Sequence, residues 1–151
     1  MLRLTYDPAT RDCDLAVDDH GGIRADGDIE TLALMSLLVD ARPGAQDVQS
    51  DPAGEAALRQ GGWWAQALLP PDARGPRPPG SLLHRLTAYK ANAATARRAE
   101  RWGEQALAWL VEERLADRVP AEASAGPWSL TLDLVAYRGK APLFRQTWTS
   151  L

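Results

Sequence analysis

Asp28-Ile29-Glu30-Thr31-Leu32-Ala33-Leu34-Met35-Ser36-Leu37-Leu38-Val39-Asp40-Ala41-Arg42 is the most apolar stretch of any length in this chain of 151 residues. Asp28 is suited to accept hydrogen bonds from the free N–H groups of a first helical turn, and Glu30 places negative charge where the helix dipole favours it. Leu32, Met35 and Leu38 form one stripe, and Leu34, Leu37 and Val39 widen it around most of the cylinder. A helix apolar on nearly all sides belongs in a core. It falls short of the roughly 20 residues that a bilayer requires, so the rest of the chain is expected to wrap it.

That expectation bounds the whole. A chain of this length fits one domain, residues 1–151, and folding at this size buries about 68–70% of the surface that the unfolded chain exposes. Hydrophobic residues at 45% and charged residues at 25% are ordinary for a globular protein. No basic start leads into an apolar run, so no secretory leader is expected. Cys13 is the only cysteine, which rules out an internal disulfide and a Cys-rich zinc site and suggests synthesis in a reducing compartment.

The net charge of −3 argues against binding nucleic acid by phosphate neutralisation. Its distribution is uneven: residues 1–40 hold nine acids against three arginines, whereas residues 71–118 hold nine bases against six acids. Either the two parts neutralise each other within the fold, or oppositely charged faces steer packing against other subunits.

Working outward from the apolar stretch, Leu2, Leu4 and Tyr6 alternate with Arg3 and Thr5 as in a half-buried strand. The turn residues Asp7-Pro8-Ala9-Thr10 come next, then a second short strand from Asp14 to Val17 with Leu15 and Val17 on one face. Asp18-Asp19-His20-Gly21-Gly22 forms another turn, and Ile23-Arg24 starts a third extended piece. Beyond Arg42, Pro43-Gly44 stops the helix, and Glu55 to Gln60 is suited to a single helical turn. The loop at about 70–80, with five prolines and two glycines, excludes regular helix and inner strand.

Gly80-Ser81 is placed to cap a helix with Leu82, Leu86 and Tyr89 on one face. Asn92 breaks that helix, and Thr95 to Leu115 forms a longer one with Ala99, Trp102, Ala106, Trp109 and Leu110 as its apolar stripe. Trp128, Leu130, Leu132, Leu134 and Ala136 alternate with Ser129, Thr131, Asp133, Val135 and Tyr137, a strong strand signal. Arg138-Gly139-Lys140 turns the chain, and Leu143 to Thr149 returns with Phe144 and Trp148 on one face. The order reads β-β-α-loop-α-α-β-β-β. It predicts an α+β domain with antiparallel strands at both termini, packed on the central apolar helix and the long amphipathic one.

Catalytic chemistry finds little support. His20 lies in a turn and His84 among leucines, no Gly-x-Ser-x-Gly elbow exists, and Cys13 sits in an acidic stretch that disfavours its thiolate. Asp18, Asp19, His20, Asp26 and Asp28 lack the spacing of a calcium loop. No carboxylate pair stands out for glycoside hydrolysis. Gly61-Gly62 runs into tryptophans without the lysine of a phosphate-binding loop. No catalytic residue, cofactor or metal is therefore expected. Trp63 and Trp64 are read as plugs that pin the loop to the core, as a protein-interface anchor, or as a sugar platform.

Several pieces together carry a resemblance: Glu30-Thr31 followed by Ser36-Leu37 and Asp40-x-Arg42, then Gly61-Gly62-Trp63-Trp64, Gly80-Ser81-x-Leu83, and Glu104-x-Ala106-Leu107-x-Trp109-Leu110. Over about Leu4 to Val135 the chain resembles the Mu-type tail protein family, small baseplate wedge components of contractile-tailed phages. That family is similar in turn to the sheath-initiator wedge proteins, where a Glu-Pro-Arg tripeptide often comes after the long helix. Here Ala116-Asp117-Arg118-Val119-Pro120 stands instead. The resemblance implies a non-enzymatic virion protein made in the host bacterial cytoplasm and present in many copies in the tail. It implies partners among other wedge proteins, tail tube and sheath subunits, with no nucleic acid and no membrane span.

It also implies sheet edges that pair with a neighbour's extended arm, in accord with the physics of strand addition. Trp63, Trp64, Leu143, Phe144 and Trp148 are the expected partner-binding residues. The alternatives are a small carbohydrate- or peptide-binding module centred on Trp63 and Trp64, and a small hydrolase using Asp18, His20 and Asp26.

Overall fold

Leu4 and Tyr6 point inward from a short strand, β1 (Leu4–Asp7), which pairs antiparallel with β2 (Asp12–Leu15) in a two-stranded sheet. The computed structural model of the chain describes residues 3–7, 9–10, 12–22, 29–43, 62 and 80–150. The expected extension at Ile23-Arg24, the helical turn at 55–60, Trp63-Trp64 and residues 70–79 of the Pro-rich loop lie outside the described residues. The second strand begins and ends two residues earlier than its sequence predicts. Leu15 faces the same side as Leu4 across the ladder, but the strand stops there; Ala16 is the buried residue, and Val17 is 62% exposed.

Helix α1 (Ile29–Leu38) is the apolar stretch. It enters the core by Ala33, Leu34 and Leu37, and the fully buried Thr31 accepts a hydrogen bond at Oγ1 from the backbone N–H of Leu4. Leu32, Met35 and Leu38 do not follow the expectation of burial on all sides; each is about 40% exposed. The helix is covered by β1 on one flank and by the long helix on another, and none of the described elements lies over this third stripe.

Gly80 and Ser81 stitch the end of α1 to the next segment. Ser81 N–H donates to Val39 O and Ala41 N–H donates to Ser81 O, both at 2.8 Å, forming a parallel bridge between Asp40 and Ser81. Gly80 has φ 104°, and a Cβ there would lie 2.3 Å from Val39 O, so the approach requires glycine. The Ser81 hydroxyl accepts from Leu83 N–H, as a cap would, and also donates to Leu37 O. The chain then forms a 3-10 helix, Leu83–Ala88, and not the expected α-helix. The segment is pinned at Ser81 and again at Asn92, and the greater rise per residue of 3-10 geometry spans the interval.

Asn92 does not merely break the preceding helix; it caps α2 (Ala93–Glu112), its side chain accepting from Thr95 N–H at 2.9 Å. Of the predicted stripe, Ala99, Trp102, Ala106 and Leu110 are buried and Trp109 is half-buried; Ala96 and Leu107 join them in facing the core. Trp109 Nε1–H donates to Ser36 Oγ at 3.0 Å, joining the two helices. The C-terminus closes as a Schellman motif, with Leu115 N–H on Leu110 O and Arg114 N–H on Val111 O; Arg114 takes the left-handed position at φ 58°.

A three-stranded antiparallel sheet completes the chain in the order β3 (Ala121–Ala125), β4 (Leu130–Arg138), β5 (Ala141–Ser150). Leu130, Leu132, Leu134 and Ala136 are buried on its inner face, as the alternation predicts. Trp128 departs from that pattern: it belongs to the tight turn closed by Gly126 N–H on Ser129 O and is 86% exposed. Gly139, at φ 62°, makes the two-residue turn into β5. Helix α2 lies on β3 and β4, close enough that a Cβ on Gly103 would meet Leu134 Cδ2 at 2.9 Å. The fold is α+β, a single small domain around one core shared by both helices and the larger sheet.

Candidate functional site

The ladder parity decides what each outer strand offers. Ala123 N–H donates to the Glu100 carboxylate of α2 at 2.9 Å, so it points away from β4. Leu132, paired with Ala123, therefore turns its backbone groups toward β5, as do Leu134 and Ala136. Their partners Trp148, Gln146 and Phe144 complete that ladder. By the same alternation Arg145, Thr147 and Thr149 direct their N–H and C=O groups outward, past the last strand of the sheet. The Thr147 carbonyl is met by Gln146 Nε2 at 3.0 Å. No described strand pairs with the remainder of that edge.

Near the turn the edge is kinked. Ala136 pairs with Phe144 and Tyr137 with Pro142, which leaves Leu143 as the extra residue of a β-bulge. On the solvent face Asp133 holds two β5 side chains, Arg145 Nη2 at 3.1 Å and Thr147 Oγ1 at 2.9 Å.

Under the inner face of the same edge lies an apolar cavity of about 150 Å³, lined by Tyr6, Leu34, Leu37, Leu38, Leu83 and Leu134 together with Gln146 and Trp148 of β5. Asp40 and His84 line it as well: His84 Nδ1 lies 3.3 Å from Asp40 Oδ1 and 3.2 Å from Ser81 O. A second, shallower cleft of about 520 Å³ runs between the 3-10 segment and the exposed Trp128.

Of the residues expected to bind a partner, Leu143 stands exposed at the bulge and Trp148 lies half-buried at the cavity. Phe144 requires a correction. It lies on the inner face of the sheet opposite Ala136 and is buried in the core, so its side chain presents almost no surface to a partner in the folded chain. Trp63 and Trp64 lie outside the described residues, but Gly62 comes close to Arg42, where its Cβ would stand 3.4 Å from Arg42 Nε.

The Asp18 carboxylate accepts from the backbone N–H groups of His20 and Gly22 at 2.8 and 2.9 Å, so it organises the turn itself. Asp26 lies outside the described residues. Arg118 covers the Tyr137 ring at 4.1 Å and pairs with it backbone to backbone, which fastens the exit of α2 onto β4. The cavity, Asp40 and His84 carry no local sequence signal as a group, since five separate segments assemble them.

Among the described residues no helix is long and apolar enough to cross a membrane. Neither the curated proteins nor the solved structures contain a match to this chain. Comparison with protein families matches residues 29–142, from the first turn of α1 to the residue before the bulge, to Phage protein GP46, and the chain belongs to that family of phage proteins.

Proposed function

We propose that this phage protein is a structural component of a contractile tail baseplate, of Mu type, which joins neighbouring wedge, tube or sheath subunits through the outer edge of β5. The observation that carries the reading is that edge. Arg145, Thr147 and Thr149 present backbone donors and acceptors at alternate positions along a ten-residue strand. A neighbour's extended arm gains a ladder of hydrogen bonds there, and alternate side chains supply specificity. Membership of a phage protein family supports the setting. The motifs shared with Mu-type tail proteins, Gly61-Gly62-Trp63-Trp64 and Ala106-Leu107-x-Trp109-Leu110, support the baseplate. The protein acts in many copies, by surface-to-surface assembly and without catalysis, cofactor or metal.

Thr147→Pro tests this directly. Its N–H points to the open edge, so proline removes an edge donor while the β4–β5 ladder stays whole. The loss of the exposed hydroxyl bond to Asp133 costs about 1 kcal/mol. In a producing strain the variant is expected to stay folded and to yield no contractile particles by electron microscopy. Normal particles at wild-type yield would end the edge-pairing reading. Deleting residues 143–151 is the poorer test, because it removes the buried Phe144 and with it part of the core.

A further inference from the structure

The structure points to a second element of recognition at this edge: we infer that the cavity beneath β5 receives one large apolar side chain of the arriving arm, with a lysine or arginine of the same arm beside Asp40. The inference rests on the edge-pairing reading and says what kind of arm the edge selects. A strand bonded to Thr147 places the residue opposite Thr147 on the solvent face. Its two neighbours, opposite Gln146 and Trp148, then project to the inner face, about 5 Å from those side chains. Gln146 and Trp148 both line the cavity. The inward side chains of an added strand therefore arrive over an apolar space that the protein itself leaves unfilled.

Size and charge narrow the occupant. The cavity measures about 150 Å³, the volume of an engineered leucine- and phenylalanine-lined cavity that takes up benzene, so a leucine, methionine or phenylalanine side chain fits and a tryptophan does not. Asp40, whose side chain is 51% exposed, sets a carboxylate at the rim. A basic residue on the arm answers that charge and an acidic one is repelled. Leu38 continues the lining onto the exposed α1 stripe of Leu32 and Met35, which extends the apolar track beyond the cavity mouth.

The test uses the full chain and three synthetic eight-residue peptides. The first is threonine-rich with a central leucine and a lysine two positions away; the others replace the leucine by alanine or the lysine by glutamate. Binding is read by amide hydrogen exchange at Arg145, Thr147 and Thr149 and by the indole signal of Trp148. The leucine peptide is expected to protect the three amides and shift Trp148. The alanine peptide should bind at least roughly tenfold more weakly, and the glutamate peptide also more weakly than the first. Leu38→Trp, made at a position 41% exposed so that folding is kept, fills the cavity and should remove the preference for leucine.

Equal binding of the leucine and alanine peptides, abolished by Thr147→Pro, would overturn the cavity inference and leave edge pairing standing. Leucine-dependent binding that survives Thr147→Pro would overturn edge pairing and the arm with it. A Trp148 shift with benzene, but with no peptide at millimolar concentration, would make the cavity a small-molecule site and refute the proposal.

Discussion

The two outer strands of the larger sheet differ in how they meet solvent. β3 is five residues long, entered through Pro120, and the helix above it supplies a carboxylate to the middle of its outward-facing N–H groups. β5 is ten residues long, and among the described residues a bulge beside Pro142 and one side-chain amide qualify its edge. An uncovered edge is a standing invitation to pair with another chain, which proteins block with short strands, prolines, charges and bulges. One edge here carries most of those devices and the other few. On the proposed function the asymmetry gives assembly a direction: the blocked side keeps copies from pairing at random, and the open side awaits one partner.

The comparison breaks most completely if the strand shared by both edges is weakened. Leu132 is fully buried on β4, paired to Ala123 on one side and to Trp148 on the other. Leu132→Ala is expected to cost about 2–5 kcal/mol, the range for a leucine truncated in a close-packed core, measured by urea denaturation. Because β4 carries both ladders, amide protection should fall in β3 and β5 together. A loss confined to one edge would mean that the two strands are held independently.

Glu100→Ala attacks the difference itself. It leaves Ala123 N–H without the charged acceptor that covers it, at a cost of about 1.5–3 kcal/mol. It also turns β3 into a second open edge. Sedimentation should show concentration-dependent self-association beyond that of the parent chain, and Thr147→Pro in the same chain should not suppress it. If Glu100→Ala stays as monodisperse as the parent, the carboxylate does not guard the edge.

Much of this asymmetry was invisible in the chain. The alternation from Leu130 to Ala136 and the α2 stripe of Ala99, Trp102 and Ala106 were legible because each has a period and one polar side. The apolar helix was legible as a core element but not in its orientation. A cylinder apolar all round gives no phase, so nothing local distinguished the buried Leu34 and Leu37 from the exposed Leu32, Met35 and Leu38. The predicted order has three C-terminal strands but gives β3 no residues, because Ala121, Ala123 and Ala125 lack β-branched or aromatic signal; they suit a strand only because α2 lies on them.

The site was read in fragments. Trp148 and Phe144 were placed on one face correctly, but the depth of that face depends on which helix covers it. Which strand is last in a sheet, and which side chains close a cavity built from five segments, are non-local facts. The position of Arg114 at φ 58° likewise escapes a rule that looks for glycine at the end of a helix.

The smallest expected effect concerns what holds the open edge in place. Arg145 reaches Asp133 at 3.1 Å on the solvent face, but its side chain is 68% exposed. Exposed pairs of this kind contribute about 0–1 kcal/mol, and Asp133 keeps Thr147 Oγ1 as a partner when Arg145 is gone. Arg145→Ala is therefore expected to shift the denaturation midpoint only slightly and to leave hydrogen exchange at Gln146 and Trp148, whose N–H groups face β4, as it was. The reason is that β5 is held from within, by Phe144 and Trp148 against the core and by the ladder to β4. A destabilisation above about 1.5 kcal/mol, beyond what an exposed ion pair supplies, would show that the polar cluster and not the inner face anchors the strand. In that case an arriving arm, which must approach past Arg145, would disturb the anchor of the very edge it pairs with.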